Sequence, residues 1–465
     1  MTAIVPQTIA ARVTLLAASI IGVFSALFLP FAAEQNLMLG ITIFCIILWI
    51  GTPVPPWFTG LAGIGMIGIA FSPDLALGGF AEPVLWLIVF GLVMGEAIHR
   101  AGVAKTLEYH LLGWIAPDIL RAERANPVKL FRRLLVVLSL GGLVFAVMVP
   151  SSLVRILVMA PILIGIGTVF ESRSARLGIL FGPLFSTFFG SVGILTAFLP
   201  NIVTTGILES TTGETISWTA WILTMFPFMG IGRVLLIIGI VYVLYRPASD
   251  SGVDITPAEY RPDTTSVRRT GVILLVGVAI WATDFIHGLH PVFGALVVAM
   301  LLLLPYVGTV DFDTVEDVDF SIVFFIGAVF AIAAGLTETG FTDVAGTALL
   351  DMVPPDATPA VVLGAVFVIT LLLMLLLEGI AAASVLTPVL ISFAAGAGIP
   401  PSLIVQIEAM ALGHFFFPYQ SIALVAMLSY KPISSRELIR ITSLITIGSI
   451  LLLVPLQIGF LLYLQ

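Results

Sequence analysis

Residues 129–176 read KLFRRLLVVLSLGGLVFAVMVPSSLVRILVMAPILIGIGTVFESRSAR, and the charges in this stretch decide the fold. Lys129, Arg132 and Arg133 stand before an apolar run from Leu134 to Phe170, and Arg173 and Arg176 stand after it. Lys and Arg accumulate in the cytoplasmic loops of membrane proteins. With both clusters on that side, the run enters the membrane and returns to the same face. Pro150-Ser151-Ser152 marks the turn near its middle. Non-helical backbone at membrane depth survives only inside protein or beside a wet cavity. A re-entrant hairpin therefore points to a transport site.

The whole chain has the composition this requires. Of 465 residues, 59% are hydrophobic and 10% charged; a soluble domain carries about 25% charged residues. The mean hydropathy is +1.17, and apolar runs near helix-spanning length recur. The fold class is an all-α polytopic membrane protein, with about 11 transmembrane helices plus two re-entrant hairpins. A β-barrel would show weaker, alternating segments. The net charge of −8 says little about partners, and no basic patch suggests nucleic acid. The lone Cys45 excludes an internal disulfide and a cysteine-based metal cluster, and reads as a small apolar residue. Val13 to Ala33 is too long for a signal-peptide core and lacks a cleavage site, so it reads as the first span. The 43 glycines and 28 prolines suit close helix packing and broken helices.

The positive charges then set the topology. With the N-terminus and Arg12 cytoplasmic, spans fall near 13–33, 37–52, 56–72 and 84–99. A basic cytoplasmic segment, Arg100 to Arg133, leads into the first hairpin, 134–170. Helix five begins near Leu177 and is interrupted at Leu199-Pro200-Asn201. Trp218 to Phe226 reads as lying along the outer interface, and helix six, 228–245, returns to Arg246. The polar stretch 247–269 is a cytoplasmic linker between two halves. Helices follow near 270–287, 291–306 and 320–337. Residues 338–359 carry acids without Lys or Arg and read as external. Parity makes 360–395 a second hairpin, opening outward. Helix ten brings the chain to Lys431, Arg436 and Arg440 inside, and 441–463 leaves the C-terminus external. Only Arg155 and Arg233 fall within apolar segments, and Arg233 reads as snorkelling outward. Glu96–Gly102 and Ala334–Gly340 are similar, and each precedes a hairpin and a proline-broken helix. The chain thus divides into an N-terminal helix (1–36), a first repeat (37–246), the linker and a second, inverted repeat (270–465). Inverted repeats place a binding site near the midplane.

Gly79-Phe80-Ala81-Glu82-Pro83, running through Gly91 to Arg100-Ala101-Gly102, resembles a segment of the divalent anion/sodium symporter family, within the ion-transporter superfamily. Trp49-Ile50-Gly51-Thr52-Pro53-Val54-Pro55 is similar to another, and the resemblance covers nearly the whole chain. It implies carriage of dicarboxylates, citrate or sulfate, usually with sodium, by a homodimer moving its hairpins elevator-like against a scaffold. It also implies a Ser-Asn-Thr tip on each hairpin, where sodium and substrate carboxylate bind. Anchored on Pro161 and Pro388, the tips here are Ser151-Ser152-Leu153 and Glu378-Gly379-Ile380. Neither keeps the asparagine. The family's break in helix five survives partly as Leu199-Pro200-Asn201, and its counterpart in helix ten is Pro418-Tyr419-Gln420-Ser421. These departures weaken the expectation of sodium coupling more than that of transport.

Arg155 follows the first tip. A charge at bilayer centre costs at least about 2.5–3.5 kcal/mol, so its role is an anion-binding fork, a tethered cation replacing a lost sodium, or a buried ion pair. Glu378, its counterpart on the second hairpin, is a partner for Arg155, a proton carrier, a cation ligand, or a hydrogen-bonded acid pinning the hairpin. Ser151, Ser152, Thr196, Asn201, Gly379, Ser384, Gln420 and Ser421 complete the candidate substrate site. Half-helix N-termini attract anions, and exposed carbonyls coordinate sodium. Glu408 and His414 join Glu378 as coupling candidates. No metal ligand set is identified. No cofactor is expected beyond Na+ or H+ as coupling ion. Walker, zinc-protease and nucleophile-elbow motifs are all missing, so the chain is not read as an enzyme. The expected function is ion-coupled symport or exchange of a small organic or inorganic anion across the plasma membrane. A cation/proton antiporter or an arsenite-type oxyanion exporter is the alternative.

Overall fold

The computed structural model describes the chain except residues 1–8, 52–53, 102–125, 254–263, 355, 376, 378 and 429. In lipid a backbone must satisfy its own polar groups, and a helix does so within one segment. Helices accordingly build the molecule: α1 (Ile9–Phe28), α2 (Ala33–Gly51), α3 (Pro56–Ala70), α4 (Pro73–Gly78) and α5 (Pro83–Arg100) precede the first hairpin region. Among the described residues nine helices are long and apolar enough to cross a membrane. The count is ten if Pro73–Ala81 and Pro83–Ile98, bent by 49°, form one span.

The first hairpin region is α6 (Pro127–Met148) and α7 (Ser152–Gly167). Asn126 caps α6, its Oδ1 accepting from the Val128 and Lys129 amides, with Pro127 in the first turn. The helix therefore begins before Leu134 and carries Lys129, Arg132 and Arg133 on its first turns. Pro150 forces the preceding residue out of the helical region, and Val149 is extended. Ser151 then caps α7, accepting from Val154 N. A Cβ placed on Gly142 would lie 2.9 Å from Pro183 O and 3.4 Å from Met159 Cε, so the chain doubles back at Pro150.

Two helices are broken. α8 (Arg173–Phe189) and α9 (Leu199–Thr212) are separated by Gly190–Phe198, which holds two short 3-10 turns. The interruption was expected at Leu199-Pro200-Asn201, but Pro200 sits in the first turn of α9. There its missing N–H and fixed φ suit a helix start. The break runs from Gly190 to Phe198, ahead of the expected residues, and Leu199 opens its second half. A Cβ on Gly193 would lie 2.6 Å from Gly230 N, inside the π-helical stretch Phe226–Gly232 of α10 (Trp218–Tyr245). Trp218 and Trp221 are buried, and this segment runs on without a break into the rest of the 28-residue helix.

The second half runs α11 (Thr264–Ala282), α12 (Pro291–Leu303), α13 (Ser321–Glu338) and α14 (Phe341–Asp351), the last within the stretch read as external. α15 (Pro359–Met374) and α16 (Gly379–Ala397) form the second hairpin region. α17 (Pro401–Leu412) and α18 (Ile422–Met427) are the two parts of the second broken helix. α19 (Ser435–Tyr463) closes the chain and contains a second π stretch, Ser449–Leu453.

Candidate functional site

A cavity of about 130 Å³ lies where both hairpin turns and both helix breaks meet. Pro150, Ser151 and Ser152 come from the first hairpin, Gly379 and Ile380 from the second. Phe198, Leu199 and Pro200 come from one break, Phe415, Ser421 and Ile422 from the other. The N-termini of α7, α9 and α16 therefore all begin at its wall. Each directs the positive end of a helix dipole toward it. Ser151, Ser152 and Ser421 add hydroxyls; the remaining wall is mostly apolar. Such a pocket suits a small anion. A second cavity of about 280 Å³ shares Leu87 and Ile202 with it. That cavity holds the His290–Glu209 pair, at 3.2 Å.

Arg155 is fully buried beside the first hairpin turn. Its Nη1 donates to Val149 O (2.5 Å), and its Nη2 to Ser152 Oγ (2.9 Å), Ala197 O (3.0 Å) and Thr187 O (3.2 Å). Four oxygens from the hairpin turn, the end of α8 and the break thus surround one guanidinium. Glu378 lies outside the described residues.

Several other sequence-derived candidates serve the backbone of the breaks. Asn201 Nδ2 donates to Val192 O (2.9 Å) and Ile194 O (3.2 Å). Thr196 Oγ1 accepts from Trp218 Nε1. Gln420 Oε1 accepts from the Phe416 and Phe417 amides, while its Nε2 donates to Met374 O (2.6 Å) at the end of α15. Ser384 donates back to Ala381 O within its helix. Thr442 and Thr446 of α19, not singled out from sequence, donate to Phe416 O and Phe415 O. This is the satisfaction that non-helical backbone requires at membrane depth. Glu408 is fully buried; its Oε1 accepts from Thr387 Oγ1 (2.9 Å) and its Oε2 has no partner.

Arg233 does not snorkel: it is fully buried. It donates to Phe189 O (3.3 Å), Gly413 O (3.1 Å) and Ser449 Oγ (3.3 Å), and its Nη2 lies 3.0 Å from His414 Nε2. Hydropathy along the chain could not reveal this, because a snorkelling and an inward-facing arginine have the same neighbours in sequence.

Residues 7–464 match the family described as the sodium:sulfate symporter transmembrane region. The L-tartrate/succinate antiporter of Escherichia coli strain K12 is 25% identical over 442 aligned residues, covering 86% of this chain and 88% of that protein. The protein of the same name from Shigella sonnei strain Ss046 matches to the same extent. The crystal structure of the Alcanivorax borkumensis YdaH transporter shares the fold, with a TM-score of 0.55 at 16% identity, over 92% of this chain and 99% of that one.

Proposed function

The chain belongs to the sodium:sulfate symporter family and is a secondary anion transporter rather than an enzyme; on that premise we propose that it exchanges small dicarboxylate-class anions across the plasma membrane by alternating access. The observation that carries this reading is the convergence of three helix N-termini and three serine hydroxyls on one small cavity. Fixed dipoles there bind an anion without an opposing charge to strip away on release. The relatives named for tartrate and succinate support a dicarboxylate over an inorganic oxyanion.

In this proposal Arg155 is the tethered cation: its ring of carbonyl and hydroxyl oxygens resembles the coordination shell of a monovalent ion. Exchange then proceeds without obligatory sodium. The hairpin-bearing part of two inverted repeats, 37–246 and 270–465, moves elevator-like within a homodimer, with the N-terminus cytoplasmic and the C-terminus external. Glu408, buried with one free carboxylate oxygen, supports an additional proton-coupled step.

Proteoliposomes loaded with unlabelled succinate, tartrate or sulfate and given labelled anion outside test this. Uptake should be accelerated by an internal dicarboxylate and should persist when sodium is replaced by potassium. Failure to exchange any of the three anions refutes the substrate class. Uptake that stops wholly without sodium refutes the tethered-cation reading.

A further inference from the structure

Three half-helix N-termini, those of α7, α9 and α16, begin at the cavity wall, and the first halves of the two broken helices end close by. α8 ends at Phe189 and α17 at Leu412, and each would leave carbonyls pointing into apolar protein. At the end of α8 every acceptor is accounted for. Ser186 O takes the Gly190 amide, Thr187 O takes Arg155, Phe188 O takes Ser191 Oγ (2.6 Å) and Phe189 O takes Arg233. At the end of α17, Gly413 O takes the same guanidinium at 3.1 Å. Arg233 therefore stands between two negative helix ends from different halves of the chain. Among the described residues no carboxylate pairs with it.

The neighbouring groups are arranged to receive a cation. An arginine can only donate, so the groups around it must present acceptors. His414 Nδ1 lies 2.8 Å from Met410 O and so carries the ring hydrogen toward that carbonyl. This leaves the single lone pair of Nε2 to accept from Ser449 Oγ at 3.0 Å, and Ser449 Oγ in turn accepts from Arg233 Nε. Arg233 Nη2 lies 3.0 Å from Nε2 and 3.1 Å from Nδ1, beside the ring rather than along that lone pair. The acceptors also adjoin the cavity in sequence: Phe189 follows Phe188, and His414 precedes Phe415. Phe188 and Phe415 are cavity-wall rings whose centroids are 5.0 Å apart.

We infer that Arg233 is a built-in monovalent cation that joins the negative ends of the two broken helices and thereby positions the aromatic wall of the cavity. It touches no substrate; it acts through Phe188 and Phe415. The chain supplies covalently a charge that an exchangeable ion would otherwise have to supply at this junction. Only the uptake arm of the test below depends on the transport reading.

Three variants separate charge from packing. Arg233→Lys keeps the charge without the fork, Arg233→Gln keeps amide donors without the charge, and Arg233→Ala keeps neither. Each is assayed for anion exchange in proteoliposomes and for melting in detergent, with and without millimolar guanidinium ion. The Lys variant should retain most exchange. The Gln and Ala variants should lose about tenfold or more in rate. Guanidinium should restore exchange to the Ala variant and raise its melting temperature by several degrees, while leaving wild type unchanged. An Ala variant recoverable only when guanidinium is present throughout purification supports the inference equally. A Gln variant that matches wild type, or a Lys variant no better than Gln, overturns it. So does guanidinium that moves neither exchange nor melting of the Ala variant. Melting requires no anion, so this arm stands or falls apart from the substrate class, which wild-type exchange tests alone.

Discussion

Arg155→Ala removes a guanidinium that serves four oxygens at once, and the loss can be worked through acceptor by acceptor. Ser152 Oγ already lies 3.5 Å from Ala197 O, so its hydroxyl can turn to cover that carbonyl. Val149 O and Thr187 O then have no donor from this side chain. A buried acceptor left unsatisfied costs about 1–3 kcal/mol, giving roughly 2–6 kcal/mol for the two. Ser152 lines the cavity, so water can enter from there and favours the lower half of that range. Against total stabilities of about 5–15 kcal/mol, such a loss reduces folded yield without abolishing it. Exchange should disappear, because the turn, the end of α8 and the break are no longer drawn to a common centre. Arg155→Lys offers three donors from a single point and should retain folding while weakening exchange. Reversible unfolding in mixed micelles gives the first quantity, and counterflow in proteoliposomes gives the second. If Arg155→Ala loses less than about 1 kcal/mol, within an ordinary single hydrogen bond, and still exchanges anions normally, the oxygen cage has no role in the cycle and the argument fails.

Gly193→Ala would set a methyl 2.6 Å from Gly230 N, and overpacking of this kind costs about 1–3 kcal/mol; Gly239→Ala, with open space around it, is the control and should melt as wild type does. Gly379→Ala meets Pro200 Cγ at 3.4 Å and Met374 Cε and Sδ at 3.7 Å, all ordinary contacts, so folding should be unaffected. Its methyl sits at the cavity wall, so a raised KM with normal melting is expected, and an unchanged KM would remove Gly379 from the binding surface. Single cysteines at Arg133 and Arg173, in a Cys45→Ser background, should label from the same side of the membrane and one at Thr211 from the other. Opposite labelling of the first two would refute the re-entrant reading.

The sequence alone determined the class, the turn at Pro150 and the tip residues Ser151, Ser152 and Gly379 that line one cavity. Each of these follows from costs that are summed along the chain. A lysine or arginine at the bilayer centre costs about 2.5–3.5 kcal/mol, so charge spacing by itself separates loops from buried runs. Pro150 and the polar tip residues are likewise local signals. Only the tertiary structure decided what the polar residues do. The first broken helix opens at Gly190, ahead of Leu199-Pro200, where Gly230 from a later helix closely approaches Gly193. Asn201 and Gln420 are committed to carbonyls of the breaks and of α15, which no local pattern assigns to them. Arg233 faces inward because Phe189 O, Gly413 O and Ser449 Oγ, far apart in sequence, converge on one point. Hydropathy is additive along the chain, whereas hydrogen-bond satisfaction depends on which distant backbone groups are brought together, and that is settled only when the helices pack.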